Sequence, residues 1–216
     1  MSLTLLFHPL SSFCHKVLIA LYENDTAFTP QIVDLSDEGQ RTAFRKLWPI
    51  GKFPLLQDHA RDWTVNESSI IIEYLDQHYP GRTRFIPADP ELARQMRFRD
   101  RFFDLYVHLP MQKIVGDRLR PEGKKDPYGV EEARTQLQTA LGLVDQAMAS
   151  KTWAAGETFT MADCSAAPAL FYADKVAPFA SSHPHVAAYL DRLMQRPSYA
   201  RALKEAEPYF KFFPTE

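Results

Sequence analysis

"HPLSSFCHKVLIAL", residues 8–21, decides the first fold prediction, because it joins a short apolar run to a helix and carries Ser11, Ser12 and Cys14 at the junction. The preceding run, "LTLLF" at residues 3–7, predicts a buried strand, and the apolar residues after Cys14 recur at helical spacing. A disulfide oxidoreductase would carry two cysteines three apart at this helix entrance, and here a serine occupies the first position. The stretch therefore raises the question of whether Ser11 or Cys14 is the working group.

The residues up to about position 80 continue this alternation of strands and helices. "TPQIVDL" predicts a second strand, and "SDEGQRTAFRKLW" predicts a helix opened by Ser36. "FPLLQD" and "DWTVNE" predict a hairpin, and "SSIIIEYLDQHY" predicts a helix that ends at Pro80-Gly81. The order βαβα-ββα predicts a small mixed sheet with helices on both faces, in which the first two strands are parallel.

The strand patterns stop at Pro87, and the rest of the chain is helical. "DPELARQMRFRDRFFDLYVHLPMQKI" predicts a long amphipathic helix that bends near Pro110, and "DPYGVEEARTQLQTALGLVDQAMAS" predicts a second long helix. Two or three shorter helices, separated by prolines, are expected after them. With the connector placed in "PGRTRFIPADP", we expect a first domain over residues 1–80, a linker over 81–90 and an all-helical domain over 91–216.

Composition excludes several classes of function. The 216 residues include 25 basic and 27 acidic ones, a balance that gives no strong field to attract nucleic acid or an anionic membrane. No apolar run approaches the roughly 20 residues that a membrane-spanning helix needs. Cys14 and Cys164 lie far apart in the sequence and form no disulfide framework, so we expect a cytoplasmic protein with reduced thiols.

Two further motifs are candidates for ligand binding. In "GKFPLL", Pro54 opens a strand, and because only about 5–6% of bonds before proline are cis, the residues alone favour a trans bond. A cis bond there would turn the backbone N–H and C=O of Phe53 outward, toward an extended peptide. In "NESSIIIEYL", Ser68 is either a helix N-cap or part of a carboxylate site at the helix N-terminus, with Glu67 accepting from an α-amino group.

A fourth motif, "FTMADCSAAP", predicts a capping box between Thr160 and Asp163, which is a folding signal and not chemistry. In this order and spacing, "SSFCHKVLIAL", "GKFPLL", "ESSIIIEYL" and "FTMADCSAAP" resemble the cytosolic glutathione transferase family over nearly the whole chain. The nearest type is the serine-type, bacterial-like one. The resemblance implies an α/β plus all-α protein: an N-terminal thioredoxin-like βαβαββα domain, then a C-terminal helical bundle, usually as a homodimer.

The resemblance also implies glutathione as the co-substrate and assigns residues to it. The backbone of Phe53 would pair with the cysteinyl part, ahead of a cis Pro54. Glu67 and Ser68 would hold the γ-glutamyl head, and Lys52 would lie near the glycyl carboxylate or that same head.

Ser11 falls where serine-type members keep the hydroxyl that faces the glutathione sulfur. A hydroxyl that donates to the sulfur at the positive end of a helix lowers the pKa of the thiol and favours the thiolate, so no general base on the protein is required. Ser12 stands at a position often held by proline. Cys14 is either a packing residue or, in the redox alternative, the thiol that forms a mixed disulfide with glutathione.

The electrophile site is expected on the helical half. Tyr106 and His108 either line it or belong to the core or an interface. Phe53 and Trp48 replace smaller residues of the family pattern, so we expect their bulk at the rim of the site. The aromatic tail "EPYFKFFPTE" either closes over the pocket, docks on the first domain or marks a partner surface.

We therefore expect a glutathione S-transferase that conjugates the glutathione thiolate to small hydrophobic electrophiles, as in detoxification, with Ser11 as its catalytic residue. No metal is expected, because His8 and His15 have no cysteine or acidic partner at metal-ligand spacing. Two alternatives remain open. One is a non-catalytic protein of the same fold that binds another protein, and the other is a glutathione-dependent redox enzyme acting through Cys14.

Overall fold

Packing divides the chain into two compact units. The first comprises Met1–Phe85 and Pro197–Phe210, and the second comprises Ile86–Arg196 and Lys211–Glu216. The computed structural model describes residues 2–214. The predicted division placed all residues after 90 in the helical domain, whereas the segment from Pro197 to Phe210 packs with the first unit.

A four-stranded mixed sheet forms the centre of the first unit. Its strands are β1 (Leu3–Phe7), β2 (Thr29–Ile32), β3 (Leu55–Asp58) and β4 (Trp63–Asn66), in the spatial order β2-β1-β3-β4. β1 and β2 are parallel, whereas β3 is antiparallel to both β1 and β4. The predicted strand–helix–strand unit and the hairpin are both confirmed.

The α-helices of the described chain are α1 (Ser12–Glu23), α2 (Glu38–Leu47), α3 (Ser68–His78), α4 (Pro90–Phe102), α5 (Leu109–Arg118), α6 (Pro127–Met148), α7 (Met161–Val176), α8 (Pro184–Gln195) and α9 (Pro197–Ala206). In the first unit α1 packs against α3 and α9. In the second unit α7 packs against α4 and α8. Within residues 2–214, every helix is too short or too polar to span a bilayer.

The helix predicted to begin at Ser68 does begin there, but two N-cap expectations differ from the structure by one residue. The N-cap of α2 is Asp37 and not Ser36, because the Asp37 carboxylate accepts from Gln40 N–H at 2.8 Å, whereas Ser36 bonds to Asp34. The N-cap position of α3 is Glu67 and not Ser68, which is the first helical residue. In both places the neighbouring acidic residue is the one whose backbone stands outside the helix.

The capping box at α7 is confirmed. The Thr160 N–H donates to Asp163 Oδ2 at 2.8 Å, and the Thr160 side chain caps the helix in return. Asp163 also accepts from Ala154 N–H at 2.8 Å and from the Tyr189 hydroxyl at 2.6 Å. One buried carboxylate therefore joins α7, the preceding loop and α8.

The predicted long helix after residue 89 is interrupted. A π-helical segment, Phe103–His108, lies between α4 and α5, directly before Pro110. Proline has no N–H and its ring displaces the carbonyl of the preceding turn, so the regular hydrogen-bond ladder cannot pass this point unchanged. The expected bend near Pro110 therefore takes the form of a wider helical turn.

Candidate functional site

Three chain segments leave the sheet of the first unit at one edge. Leu6 in β1 pairs with Leu55 in β3, and Leu55 pairs in turn with Asn66 in β4. The turn after β1, the residues before β3 and the residue after β4 are therefore neighbours. This register brings together the segments that carry Ser11, Phe53 and Glu67.

Ser11 closes the N-terminus of α1. Its backbone is extended (φ −80°, ψ 120°), and its Oγ accepts from the Cys14 N–H at 3.4 Å. This bond uses a lone pair of the hydroxyl, so Ser11 keeps its own proton, which it can donate either to the neighbouring Cys14 sulfur or to a ligand. A donor at the positive end of a helix is suited to stabilising an anion.

Cys14 lies inside the first turn of α1 and is fully buried, with 0% of its surface exposed. Burial raises the pKa of the thiol from 9.0 to about 12, and hydrogen bonds from Ser11 and the His8 backbone lower it only in part. Ser12 beside it is also buried. At neutral pH the Cys14 side chain is therefore a protonated thiol packed in the core.

The Phe53–Pro54 peptide bond is cis. Within residues 2–214, no hydrogen bond satisfies the backbone N–H or C=O of Phe53, which stands just before β3. A ligand with an extended peptide backbone can pair with these groups as an added strand does. Lys52, the residue before it, is exposed.

The bulk expected at the rim of the site lies against the core. Phe53 and Trp48 are half-buried and pack on a hydrophobic cluster of Leu6, Val33, Phe44 and Leu55. The ring of Phe53 meets the ring of Phe44 edge to face, with centroids 6.1 Å apart. Both aromatic side chains therefore pack with one part on this cluster and keep another part of their surface exposed.

Glu67 has an unusual backbone. Its φ is +65° with ψ 120°, a region that costs an ordinary residue on the order of 1–3 kcal/mol. No side chain caps the N-terminus of α3, and Ser68 is buried in its first turn. The exposed Glu67 carboxylate and the open helix N-terminus thus lie side by side, which suits a ligand carrying an ammonium and a carboxylate on one carbon.

Two residues of this region were missed from the sequence. Lys16 is buried and donates from Nζ to Ser69 Oγ at 3.0 Å, which ties α1 to α3. His8 follows β1 directly and contacts both Phe53 and Tyr209. Its position directly after a buried strand and three residues before Ser11 is the sequence feature that could have indicated its role.

Tyr106 and His108 both lie on the π-helical segment of the second unit, in different environments. Tyr106 is 44% exposed and its ring contacts Phe102 at a centroid distance of 5.2 Å. His108 is 2% exposed. Of the two, only Tyr106 has a surface that a ligand can reach.

The aromatic tail is divided between the two units, and its residues 215–216 lie outside the described residues. Tyr209 contacts His8 in the first unit, and Phe213 stacks on Tyr172 in the second. Among the described residues of the tail, Phe212 is the aromatic residue with a large exposed fraction, 64%. The described chain contains no cluster of three or more side chains suited to hold a metal ion.

Two family models match the chain. The glutathione S-transferase N-terminal domain matches residues 5–83, and the glutathione S-transferase C-terminal domain matches residues 127–192. Glutathione S-transferase U25 of Arabidopsis thaliana is 28% identical over 94% of this chain and 90% of the relative. A stringent starvation protein A homolog of Histophilus somni is 27% identical over 95% of this chain and 92% of the relative.

Solved structures share the fold. Glutathione transferase URE2P8 from Phanerochaete chrysosporium, solved with oxidized glutathione, has a TM-score of 0.87 at 21% identity and covers 97% of each chain. A glutathione S-transferase from Methylobacillus flagellatus, solved with GSH bound, has a TM-score of 0.85 at 24% identity, over 93% of this chain and 98% of that one.

Proposed function

The chain belongs to the glutathione S-transferase family, and we propose that it conjugates the thiolate of glutathione to small hydrophobic electrophiles, with the Ser11 hydroxyl stabilising the thiolate. The observation that carries this proposal is the position of Ser11. Its Oγ accepts from the Cys14 N–H and has a proton to donate, at an edge that also presents Phe53 and Glu67.

Thiolate formation is the step that the protein must favour. A free thiol of pKa about 8.5 is only a few per cent ionised at neutral pH. The Ser11 hydroxyl donates to the sulfur, and the N-terminus of α1 adds a positive potential, so both interactions are stronger with the anion than with the thiol. Each tenfold gain in thiolate corresponds to about 1.36 kcal/mol, which one charge-assisted hydrogen bond can supply.

The rest of the same edge would hold the tripeptide. The free backbone groups of Phe53 pair with the cysteinyl residue, beside cis Pro54. Glu67 accepts from the α-amino group of the γ-glutamyl head while Ser68 and the first turn of α3 take its carboxylate. Lys52 is exposed and directly precedes Phe53, which binds the cysteinyl residue. Its ammonium takes the neighbouring glycyl carboxylate.

The remaining features of the proposal concern the rest of the chain. Residues 1–80 form the glutathione-binding domain, 81–90 the linker and 91–216 the domain that supplies the electrophile site, except that α9 packs with the first unit. Tyr106, which is exposed, is a better candidate for that site than the buried His108. We further propose a cytoplasmic homodimer with no metal and with no nucleic acid or membrane as a partner.

A non-catalytic binding protein of the same fold is the second candidate. It is favoured by one relative of similar identity, the stringent starvation protein A homolog, whose name is not that of a transferase. The redox candidate is disfavoured by the burial of Cys14 and by the high pKa of its thiol, since the thiolate is the reacting species.

Calorimetry with glutathione separates the enzyme from the binding protein. Binding at or below millimolar ligand is expected, and its absence would exclude the transferase. With a model electrophile, Ser11→Ala should lose most of the conjugating activity and move the acidic limb of the pH–rate profile to higher pH. Cys14→Ala should keep most of the activity, and the reverse pattern would favour redox chemistry.

A matched control removes the stability effect from this comparison. Ser11→Ala also removes a helix N-cap, which costs about 1 kcal/mol. Asp89→Ala removes the equivalent cap of α4, where the carboxylate accepts from Leu92 N–H at 2.9 Å. The control should lose similar stability and keep its activity. Equal loss of activity in both variants would assign the Ser11 effect to folding.

A further inference from the structure

His8 is held by three contacts within the first unit. Its ring stacks on the Phe53 ring, with centroids 6.1 Å apart and planes 17° apart. The Tyr209 ring meets it edge to face at 5.3 Å and 78°. Its carbonyl accepts from the Ser11 N–H at 3.0 Å, so His8 and Ser11 belong to one turn.

A further contact, with the backbone of Leu10, fixes the tautomer of the ring. The Leu10 N–H donates to His8 Nδ1 at 3.2 Å, so Nδ1 carries a lone pair and the proton of the neutral imidazole is on Nε2. Burial lowers the pKa of His8 below 6.5, against the opposing charge of Asp34, so the ring is neutral at pH 7.

The free end of the ring is a hydrogen-bond donor. Nε2 lies on the side of the ring away from Nδ1, and in the part of the chain that the structure describes no group accepts from its N–H. His8 is only half-buried. Because Nδ1 is occupied by Leu10 and Nε2 is protonated, His8 can donate to a ligand but has no lone pair with which to act as a base.

We propose that the His8 Nε2–H donates to the carbonyl oxygen of a conjugated electrophile, so that α,β-unsaturated carbonyl compounds are preferred co-substrates; this inference rests on the proposed transferase function. The rings of Phe53 and Tyr209 pack against the imidazole ring that carries the donor. An apolar aromatic surface with one polar group suits a flat conjugated molecule with one acceptor. The Ser11 hydroxyl, in the same turn as His8, already donates to the charged sulfur of glutathione, so the His8 N–H is available to the electrophile.

The donor acts where charge develops. The thiolate attacks the β-carbon and forms the C–S bond, while the electron pair of the C=C bond shifts to give an enolate with its charge on the oxygen. The α-carbon then takes a proton from solvent, which replaces the proton that the thiol released, and no group leaves. A donor aimed at the enolate oxygen binds the transition state more strongly than the substrate.

The test compares two electrophiles, an aryl enone and benzyl chloride, which has no oxygen acceptor. His8→Phe keeps an aromatic ring between Phe53 and Tyr209 and removes the N–H. We expect the ratio of kcat/KM for the enone to that for benzyl chloride to fall by about tenfold to a hundredfold, as for a lost hydrogen bond to a charged group. His8→Gln, which restores an amide N–H, should recover part of that ratio.

An unchanged ratio in His8→Phe would overturn the inference, whether the two activities fall together or not at all. If the activities with both electrophiles fell equally, the His8 N–H would act on the glutathione sulfur and not on the electrophile. His8→Leu, expected to lower the ratio as His8→Phe does, is the second variant should the first fail to fold. If the unmodified protein neither binds glutathione nor converts either electrophile, the proposed function itself fails before any variant is compared, and the inference falls with it.

Discussion

The thiol of Cys14 is predicted to be nearly inert in the folded protein. Its pKa of about 12, against 9.0 for an ordinary thiol, reduces the thiolate fraction at neutral pH by about a thousandfold. The thiolate is the nucleophile that reacts with an alkylating reagent. Because Cys14 is also fully buried, the reagent reaches it mainly when the first unit opens locally, and by that route a thousandfold slowing corresponds to an opening free energy of about 4 kcal/mol.

The assay follows alkylation by iodoacetamide in the Cys164→Ala variant, in which Cys14 is the remaining thiol. Mass spectrometry gives the rate at pH 7.5, first in buffer and then in guanidinium chloride. The native rate should be lower than the unfolded rate by a thousandfold or more. The Cys14→Ala variant supplies the control, because Cys164 is also fully buried and reports the rate of opening of the second unit.

A native rate within about tenfold of the unfolded rate would refute this reasoning. So would a stable mixed disulfide formed by the folded Cys164→Ala variant with oxidised glutathione. Either result would show that Cys14 is reachable as a thiolate, and the redox alternative would then replace the transferase.

Two further predictions concern His15 and Glu67. Burial lowers the pKa of His15 from 6.5 to about 4. Between these two pH values the unfolded chain binds a proton at His15 and the native state does not. The free energy of unfolding should therefore have its full value above pH 6.5 and fall by about 3 kcal/mol as the pH is lowered toward 4. Denaturant titrations measure this, and an unchanged slope in His15→Gln would contradict it. At Glu67, whose φ is +65°, Glu67→Gly should melt at a higher temperature than Glu67→Ala, because glycine adopts this backbone without strain. Both variants should bind glutathione more weakly by calorimetry, and a higher melting temperature for the alanine variant would be the contrary outcome.

The elements of the first unit were predictable because their signals are local. "LTLLF" forms β1 over the predicted residues, and the polar "HARD" is the turn of the β3–β4 hairpin. A strand followed by a helix and a second strand leaves few topologies, since the crossover must return the chain in parallel. Periodicity and the order of the elements therefore predicted the mixed sheet and the helical half, and the thioredoxin-like fold followed from the resemblance to the family.

The parts that could not be predicted depend on contacts between distant residues. The pattern of α9 is amphipathic and marks a helix, but it does not say that this helix packs on α1. Glu67, and not Ser68, occupies the N-cap position of α3 with a positive φ at the end of the hairpin, which no local propensity indicates. One of the contacts that hold the His8 ring is with Tyr209, which lies at the other end of the chain.

Ser11 stands where a disulfide oxidoreductase has the first of its two cysteines. This serine has a physical consequence beyond the loss of a cysteine. Sulfur is a weak acceptor, so a cysteine at position 11 would cap α1 less well than the hydroxyl that accepts from the Cys14 N–H. The same hydroxyl keeps a proton to donate, so it can stabilise a thiolate that belongs to the ligand. The chain then needs no thiolate of its own, and both of its cysteines are buried. In the proposed reaction the nucleophile arrives with glutathione and leaves in the product, so the site would require a donor at the helix N-terminus and no second cysteine.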